Sequence, residues 1–384
     1  MPKKICFLTT IPRTIEAFVF PLAEYLHVHT DWEITFITGM DEDFVRPLPE
    51  GVRSLRVHMH RGMSIDGLRA IRELKIIFMR EKFDLVQYST PNASLYASVA
   101  AKLAGVPVRL YCQWGIVYVG FRGFKRKVFK MIEKTVCHLS TWVEPDSFGN
   151  LRFSHEEGLY PEKKGSVIWN GSACGVKLDK FDISQRDVWR KAIREQYDIP
   201  KDVRVFGFIG RITGDKGINE LFAAYQQILA EMKDSYLMLV GPMEKAESVD
   251  DSLYAWAEAE PHVLFCGSTN VVEQYLSAMD VFILPSYREG FGAVVVEAES
   301  MGLPVIVTNI PGPTDAMREG ETGLIVKKAD VKTLVDAMRR LGNDKALREK
   351  LSANARPFIE NSFEQSELMR RIMNDRMRLM GVIE

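Results

Sequence analysis

Residues 280–298 read Asp-Val-Phe-Ile-Leu-Pro-Ser-Tyr-Arg-Glu-Gly-Phe-Gly-Ala-Val-Val-Val-Glu-Ala. The run from Asp280 to Pro285 has the nearly unbroken hydrophobicity of a strand covered on both faces, as in a parallel sheet. A short loop follows with Glu289, Gly290 and Gly292, then a helical segment closed by Gly302 and Pro304. A carboxylate at a strand's C-terminal end, two glycines and a helix start mark the place where α/β proteins bind polar ligands. The stretch therefore predicts an α/β fold, with Glu289 and Glu297 as a candidate ligand-binding pair.

The same alternation extends outward in both directions. Apolar strand-like runs occur at 5–9, 33–38, 85–88, 108–112, 141–144 and 166–169, with helical patterns at 15–27, 67–80, 93–103, 125–137 and 148–157. A second series has strands at 203–209, 236–240, 263–266, 281–284, 305–308 and 324–326, with helices between them. At 384 residues the chain exceeds what one core usually serves, so two doubly wound domains facing a cleft are expected. Their expected limits are 1–182 and 183–361, with a break near Pro357 and 361–363 that returns a last helix, 362–384, to the first domain.

Composition narrows the function. Fifty basic residues against 51 acidic leave a net charge of −1, which gives no footprint for nucleic acid, so an anionic ligand must be held by a local group of charges. The five cysteines are scattered without a Cys-x-x-Cys pair, which favours buried reduced thiols over a disulfide or zinc framework. No apolar stretch approaches the roughly 20 residues of a spanning helix, and the N-terminus suits a first strand better than a signal peptide. A cytoplasmic location is expected.

The loop Gly210-Arg-Ile-Thr-Gly-Asp-Lys-Gly217 follows the strand 203–209 and precedes a helix. Arg211 and Lys216 across a glycine-bearing loop at a helix N-terminus can surround a diphosphate, Arg by its fork and Lys as a point charge. A solvated loop with incidental charges is the alternative. The nucleoside-triphosphate loop Gly-x4-Gly-Lys-Ser/Thr is absent, and the first strand leads into Thr9-Thr-Ile-Pro-Arg-Thr14 rather than Gly-x-Gly-x-x-Gly, which argues against a kinase-like ATPase and a nicotinamide-dependent dehydrogenase. Carboxylates accept hydrogen bonds from paired hydroxyls, so with a diphosphate on the cations Glu289 and Glu297 suit a sugar and a ribose, and Gly290 and Gly292 allow backbone N–H groups close to a phosphate.

Together these motifs resemble the retaining glycosyltransferases of the GT-B fold, family 4, whose second domain carries Glu-x7-Glu and a Gly-Arg-x4-Lys-Gly phosphate loop. Ile168-Trp-Asn-Gly171 followed by Leu178-Asp-Lys-Phe181 is similar to that family's domain junction. The resemblance implies two Rossmann-like domains and a donor site in which Arg211 and Lys216 bind the diphosphate and stabilise the leaving nucleotide. Glu289 would contact the transferred sugar, Glu297 the ribose, Phe291 would lie with Gly290 and Gly292 on the donor, and Ser268 and Thr269 would lie by the base. It implies no metal and no cofactor beyond a nucleotide-sugar donor, a UDP-sugar, with a saccharide or polyprenyl-diphosphate-linked saccharide as acceptor.

The first domain departs from the family. Pro12, Arg13 and Thr14 occupy a turn that is glycine-rich in many relatives, and Gln113-Trp114-Gly115 stands where many have a histidine. Arg13, Thr14, Gln113 and Trp114 are candidate acceptor contacts, Trp114 either stacking on a sugar or packing in the core. Segment 121–134 interleaves Phe121, Phe124 and Phe129 with six basic residues, which suits either peripheral contact with an anionic membrane or an amphipathic helix with a solvated basic face. A nucleotide-sugar epimerase, a sugar phosphorylase and a non-catalytic sugar-nucleotide-binding subunit remain as alternatives.

Overall fold

The computed structural model describes residues 2–60, 67–244 and 248–383. The chain divides into two units, Met1–Cys174 with Gln365–Glu384, and Gly175–Glu364. The division falls before the expected 182/183 because Val176 is tied to the second unit, its N–H donating to the Phe363 carbonyl at 2.8 Å.

In the first unit the strands are β1 (Lys4–Leu8), β2 (Glu33–Thr38), β3 (Val52–Arg56), β4 (Leu85–Tyr88), β5 (Val108–Gln113) and β6 (Trp142–Pro145). In the second they are β7 (Val205–Ile209), β8 (Tyr236–Val240), β9 (Val263–Phe265), β10 (Val281–Leu284), β11 (Val305–Thr308) and β12 (Gly323–Val326). Each set forms one parallel sheet, in the orders β3-β2-β1-β4-β5-β6 and β12-β11-β10-β7-β8-β9. Read from the other edge, the second order repeats the first. Both are doubly wound, with the switch in strand order between β1 and β4 and between β7 and β10.

Alternation along the strands feeds two apolar layers in the first unit. Ile5, Phe7, Ile34 and Phe36 face the helices Pro12–Phe18 and Phe20–His29 and the last helix Gln365–Leu379, through Leu368, Met369 and Ile372. Cys6, Leu8, Val86 and Tyr88 face Leu74, Phe78, Ala97 and Val136 on the other side. The last helix is pinned by Arg376, 1 % exposed, whose guanidinium donates to both carboxylate oxygens of Glu144 and, at 3.1 Å, to Gln87.

Three expected elements differ. The pattern at 15–27 predicts one helix, but Pro21 has no N–H to continue it, and a new helix starts at Phe20 with the proline in its first turn. No strand forms at 166–169: Gly165 makes a single bridge to Val143, and Trp169 takes φ 51° as Gly171 closes a turn onto Ile168. Pro357 lies inside the helix Lys345–Ser362, and the break comes at Phe363. All five cysteines are free, with Cys6, Cys112 and Cys137 buried.

The register of β7 and β10 is set by Asp280. Its N–H donates to the Val205 carbonyl at 2.8 Å, and its carboxylate accepts from Val205 N–H at 2.8 Å, Arg190 at 2.8 Å and Arg194 at 3.0 Å. Burial alone would raise this carboxyl's pKa, but Arg190 and Arg194 hold it below the usual range. Removing the acid strands a buried Arg194, so Asp280→Ala should cost about 3–5 kcal/mol in denaturant unfolding. The equivalent acid of the first unit, Asp84, pairs with Lys3 at a half-exposed site, and Asp84→Ala should cost about 1 kcal/mol or less.

Candidate functional site

The loops that leave β7 and β10 are neighbours because those strands are hydrogen-bonded partners at the switch. The first carries Arg211 and Lys216, the second Glu289. Their close approach depends on Gly217, at φ 73°, where a Cβ would lie 2.1 Å from the Pro285 carbonyl oxygen. Gly217 also opens the helix Ile218–Glu231, whose first N–H groups are thus delivered beside the Glu289 loop.

At this junction Lys216 Nζ donates to Glu289 Oε1 at 2.5 Å, with both side chains largely shielded from water. Ser286 Oγ donates to the same carboxylate oxygen at 2.7 Å, and Thr308 Oγ1 donates to the Ser286 carbonyl at 2.5 Å. Arg211 sits more openly and reaches Glu244 at 2.7 Å. Asp215 organises the rest. It takes the Thr213 hydroxyl at 2.5 Å and Arg288 at 3.0 Å, while its carbonyl accepts from Tyr287 N–H at 2.9 Å. Burial opposes ionisation of Asp215, yet the Thr213 hydroxyl and the charges of Arg288, Lys216 and Arg211 keep its pKa below normal.

Gly292 has φ 88° and caps the helix Ala293–Ser300. The next loop comes so near that a Cβ on Gly312 would meet the Gly290 carbonyl oxygen at 2.2 Å. Phe291 is buried, with its ring 5.3 Å from Phe363, so it can serve a ligand through its backbone and not its ring. One helix turn further, burial pushes Glu297 up to about 7, against the pull of Lys180 and with the repulsion of Glu273. Lys180 lies 3.6 Å from Glu273. Ser268 is exposed, and Thr269 Oγ1 accepts from Val271 N–H at 3.1 Å, in the loop after β9.

Residues 190–358 match the family of glycosyl transferases group 1, and residues 4–143 match the glycosyl transferase 4-like family. The chain is 32% identical to the capsular polysaccharide biosynthesis glycosyltransferase CapM of Staphylococcus aureus, over 80% of each chain. It belongs to the family 4 glycosyltransferases. A UDP-Gal:alpha-D-GlcNAc-diphosphoundecaprenol alpha-1,3-galactosyltransferase of Escherichia coli is 28% identical over 78% of this chain and 76% of its own. Among solved structures, Anabaena HepE in complex with UDP and glucose superposes with a TM-score of 0.78 at 19% identity, covering 97% of this chain and 99% of that one. This likeness identifies the fold as GT-B.

Of the acceptor candidates in this glycosyltransferase, Gln113 is a correction. It is 0% exposed, its amide N–H donates to Glu133 at 2.6 Å and its oxygen accepts from Ser154 at 2.9 Å, so its side chain is spent on internal partners. Trp114 is half-buried and packs on Phe18, with centroids 5.3 Å apart. Arg13 is exposed and Thr14 half-buried in the first turn of Pro12–Phe18. Sequence inspection missed Thr90, which spans the β1/β4 switch by hydrogen bonds to Thr10 at 3.0 and 2.9 Å. It does so at φ 67°, a costly conformation for a β-branched residue and one that concentrates at ligand sites. Ser286, Asp215 and Arg288 were inside the quoted motifs, but only the fold shows them buttressing Glu289 and its loop.

Two outcomes follow from this geometry. Gly217→Ala should cost about 1–3 kcal/mol in denaturant unfolding, because the residue holds φ 73° and the loop must move off Pro285. For Glu297, the folded-state pKa is raised above the unfolded value, so its contribution to stability is present at low pH and is lost as pH rises through about 7. Glu297→Gln should therefore remove part of the fall in Tm between pH 5 and pH 7.

Proposed function

We propose that the chain is a retaining glycosyltransferase that moves a hexose or N-acetylhexosamine from a UDP-sugar to a saccharide carried on a polyprenyl diphosphate, in bacterial polysaccharide biosynthesis. The observation that carries the proposal is the shielded Lys216–Glu289 pair at the β7/β10 switch, with Arg211 on the same loop. A diphosphate placed here takes Lys216 away from Glu289, and the freed carboxylate then accepts hydrogen bonds from sugar hydroxyls. Charge that develops on the leaving phosphate meets Arg211, Lys216 and the N-terminus of Ile218–Glu231. These groups supply the positive charge, so the proposal invokes no metal and no cofactor.

In the transfer the bond from the anomeric carbon to the phosphate oxygen breaks, and the acceptor oxygen bonds to that carbon on the same face. The acceptor's proton passes to the departing phosphate oxygen, which needs no side-chain base. Glu297 holds the ribose, and the Ser268-Thr269 loop lies by the base. The names of the relatives support the donor and acceptor classes, since the Escherichia coli protein is named for UDP-Gal and a diphosphoundecaprenol acceptor.

The proposal includes peripheral contact with the cytoplasmic face of an anionic membrane through the helix Gly123–Leu139. Phe124 and Met131 are 81% and 70% exposed there, beside exposed Arg122, Lys125, Lys127 and Lys134. Phe121 and Phe129 instead pack on each other at 4.7 Å, and Lys130 pairs with Glu157 at 2.7 Å. Among the described residues no helix is long and apolar enough to cross a membrane.

With a UDP-sugar panel and a diphosphate-lipid acceptor mixture, product mass and linkage identify the reaction. Lys216→Ala and Glu289→Ala should each lower turnover by tens-fold or more while the fold persists; near-normal rates in both would overturn the site. Sugar conversion without an acceptor would point to an epimerase, conversion that requires inorganic phosphate to a phosphorylase, and binding without turnover to a non-catalytic subunit. Flotation should show binding to vesicles with anionic lipid and loss of it on charge reversal at Lys125 and Lys127; binding indifferent to charge would remove the membrane contact.

A further inference from the structure

Between the helices Pro91–Leu103 and Gly123–Leu139 of the first unit lies a cavity of about 240 Å³. Its wall includes Ser94, Tyr111, Tyr118, Phe129, Ile132 and Glu133. Its surface is mainly apolar, but two polar groups in it are short of partners. Ser94 is 1% exposed, and its Oγ makes no hydrogen bond. Glu133 receives both Tyr111 OH, at 2.8 Å, and Gln113 amide N–H, at 2.6 Å, on the same oxygen, Oε1. Oε2 has no partner among the described residues. A buried hydroxyl without a partner costs free energy, and such sites commonly serve a ligand that supplies the missing bond.

The chemistry of the wall selects the ligand. Its charge-bearing group is a carboxyl, and the cations on the same helix as Glu133, Arg126 and Lys130, are turned to Glu157 at 3.7 and 2.7 Å. A phosphate would meet the acid with no cation to hold it. An alkyl or prenyl chain would leave Ser94 and Glu133 unsatisfied. The volume is below the roughly 300 Å³ at which drug-sized sites begin, so it limits the occupant to a small group. A pyranose ring satisfies each condition: hydroxyls for the two polar groups, and an apolar face for the ring of Phe129.

We infer that this cavity is a subsite for one neutral sugar ring, seated by hydroxyls on Ser94 Oγ and Glu133 and by its apolar face on Phe129. Its assignment to the acceptor rests on the transferase function proposed above; the binding of a sugar ring does not. Burial raises the Glu133 carboxyl against the lowering effects of Gln113 and Tyr111, and its second oxygen can take a sugar hydroxyl. Gln113 then acts as a positioning residue that holds Glu133 in place from the end of β5.

The test is saturation-transfer NMR on the full chain with methyl α-glycosides of glucose, galactose and their N-acetylated 2-amino counterparts, without donor. At least one should receive saturation at millimolar concentration. Ser94→Leu, which fills the cavity, should weaken that signal by roughly tenfold or more, and the isosteric Glu133→Gln, which preserves the fold, should weaken it severalfold. UDP binding, measured by thermal shift, should be unchanged in both. No glycoside signal, an equal signal in Glu133→Gln and Ser94→Leu, or a signal from a short prenyl phosphate in place of the glycosides would each overturn the inference. Failure of UDP to bind the unmutated chain would sink the transferase function instead and leave the glycoside result standing.

Discussion

Both sheets rest on one device, an aspartate at the entry to the fourth strand that exchanges two hydrogen bonds with the start of the first. In the second unit Asp280 N–H donates to Val205 O at 2.8 Å, and its carboxylate takes Val205 N–H at 2.8 Å. In the first unit Asp84 N–H donates to Lys4 O at 2.9 Å, and its carboxylate takes Lys4 N–H at 2.8 Å. A slip of one residue would turn every side chain on these strands to the wrong face, and a two-bond clamp at the strand entrance prevents it. These strand pairs straddle the switch in strand order, so the same clamp decides which loops meet at the other end of the sheet. Burial separates the two cases. Asp280 is surrounded by arginines inside the protein, whereas Asp84 faces half-exposed Lys3.

The loops above the clamps differ in charge. Over β7 and β10, Lys216 pairs with Glu289, and Asp215 pairs with both Arg211 and Arg288. Such pairs contribute little to stability because each ion has lost water to form them. Their value here is positional: they fix the Lys216 and Glu289 side chains against each other across two loops. Over β1 and β4 there is no comparable charge among the described residues of the switch. Thr9, Thr10 and Thr90 take its place, with Thr90 held at φ 67°.

Much of the second unit was legible because its strands are covered on both faces and leave continuous apolar runs, as at Val281 to Leu284. The two charged motifs begin in loops that follow such strands, with Glu297 inside the helix Ala293–Ser300 after the second, so spacing brought Arg211, Lys216, Glu289 and Glu297 forward. The edge strand β3 left no such trace. Its residues Arg53, Ser54 and Arg56 are exposed, and it pairs on one side with β2, so neither periodicity nor hydrophobicity marks it. The Lys216–Glu289 contact joins residues on separate strands, and no local pattern reports that the two motifs pair with each other. Gln113 misled for a related reason: its position after a strand suggests a ligand, while its fully buried amide depends on Glu133 and Ser154 from distant helices.

Gly217 and Gly312 show why the site tolerates so little change in its backbone. Each is a place where one loop presses on the next, Gly217 against Pro285 and Gly312 against Gly290. The loops after β7, β10 and β11 are therefore stacked in contact, in the order of their strands. Only a residue without a Cβ permits backbone to approach backbone so closely while φ is positive. The stack puts the Gly290–Gly292 turn between two glycine contacts, so its N–H groups and Glu289 move as one body with Lys216. A site preorganised in this way loses little entropy when a ligand arrives.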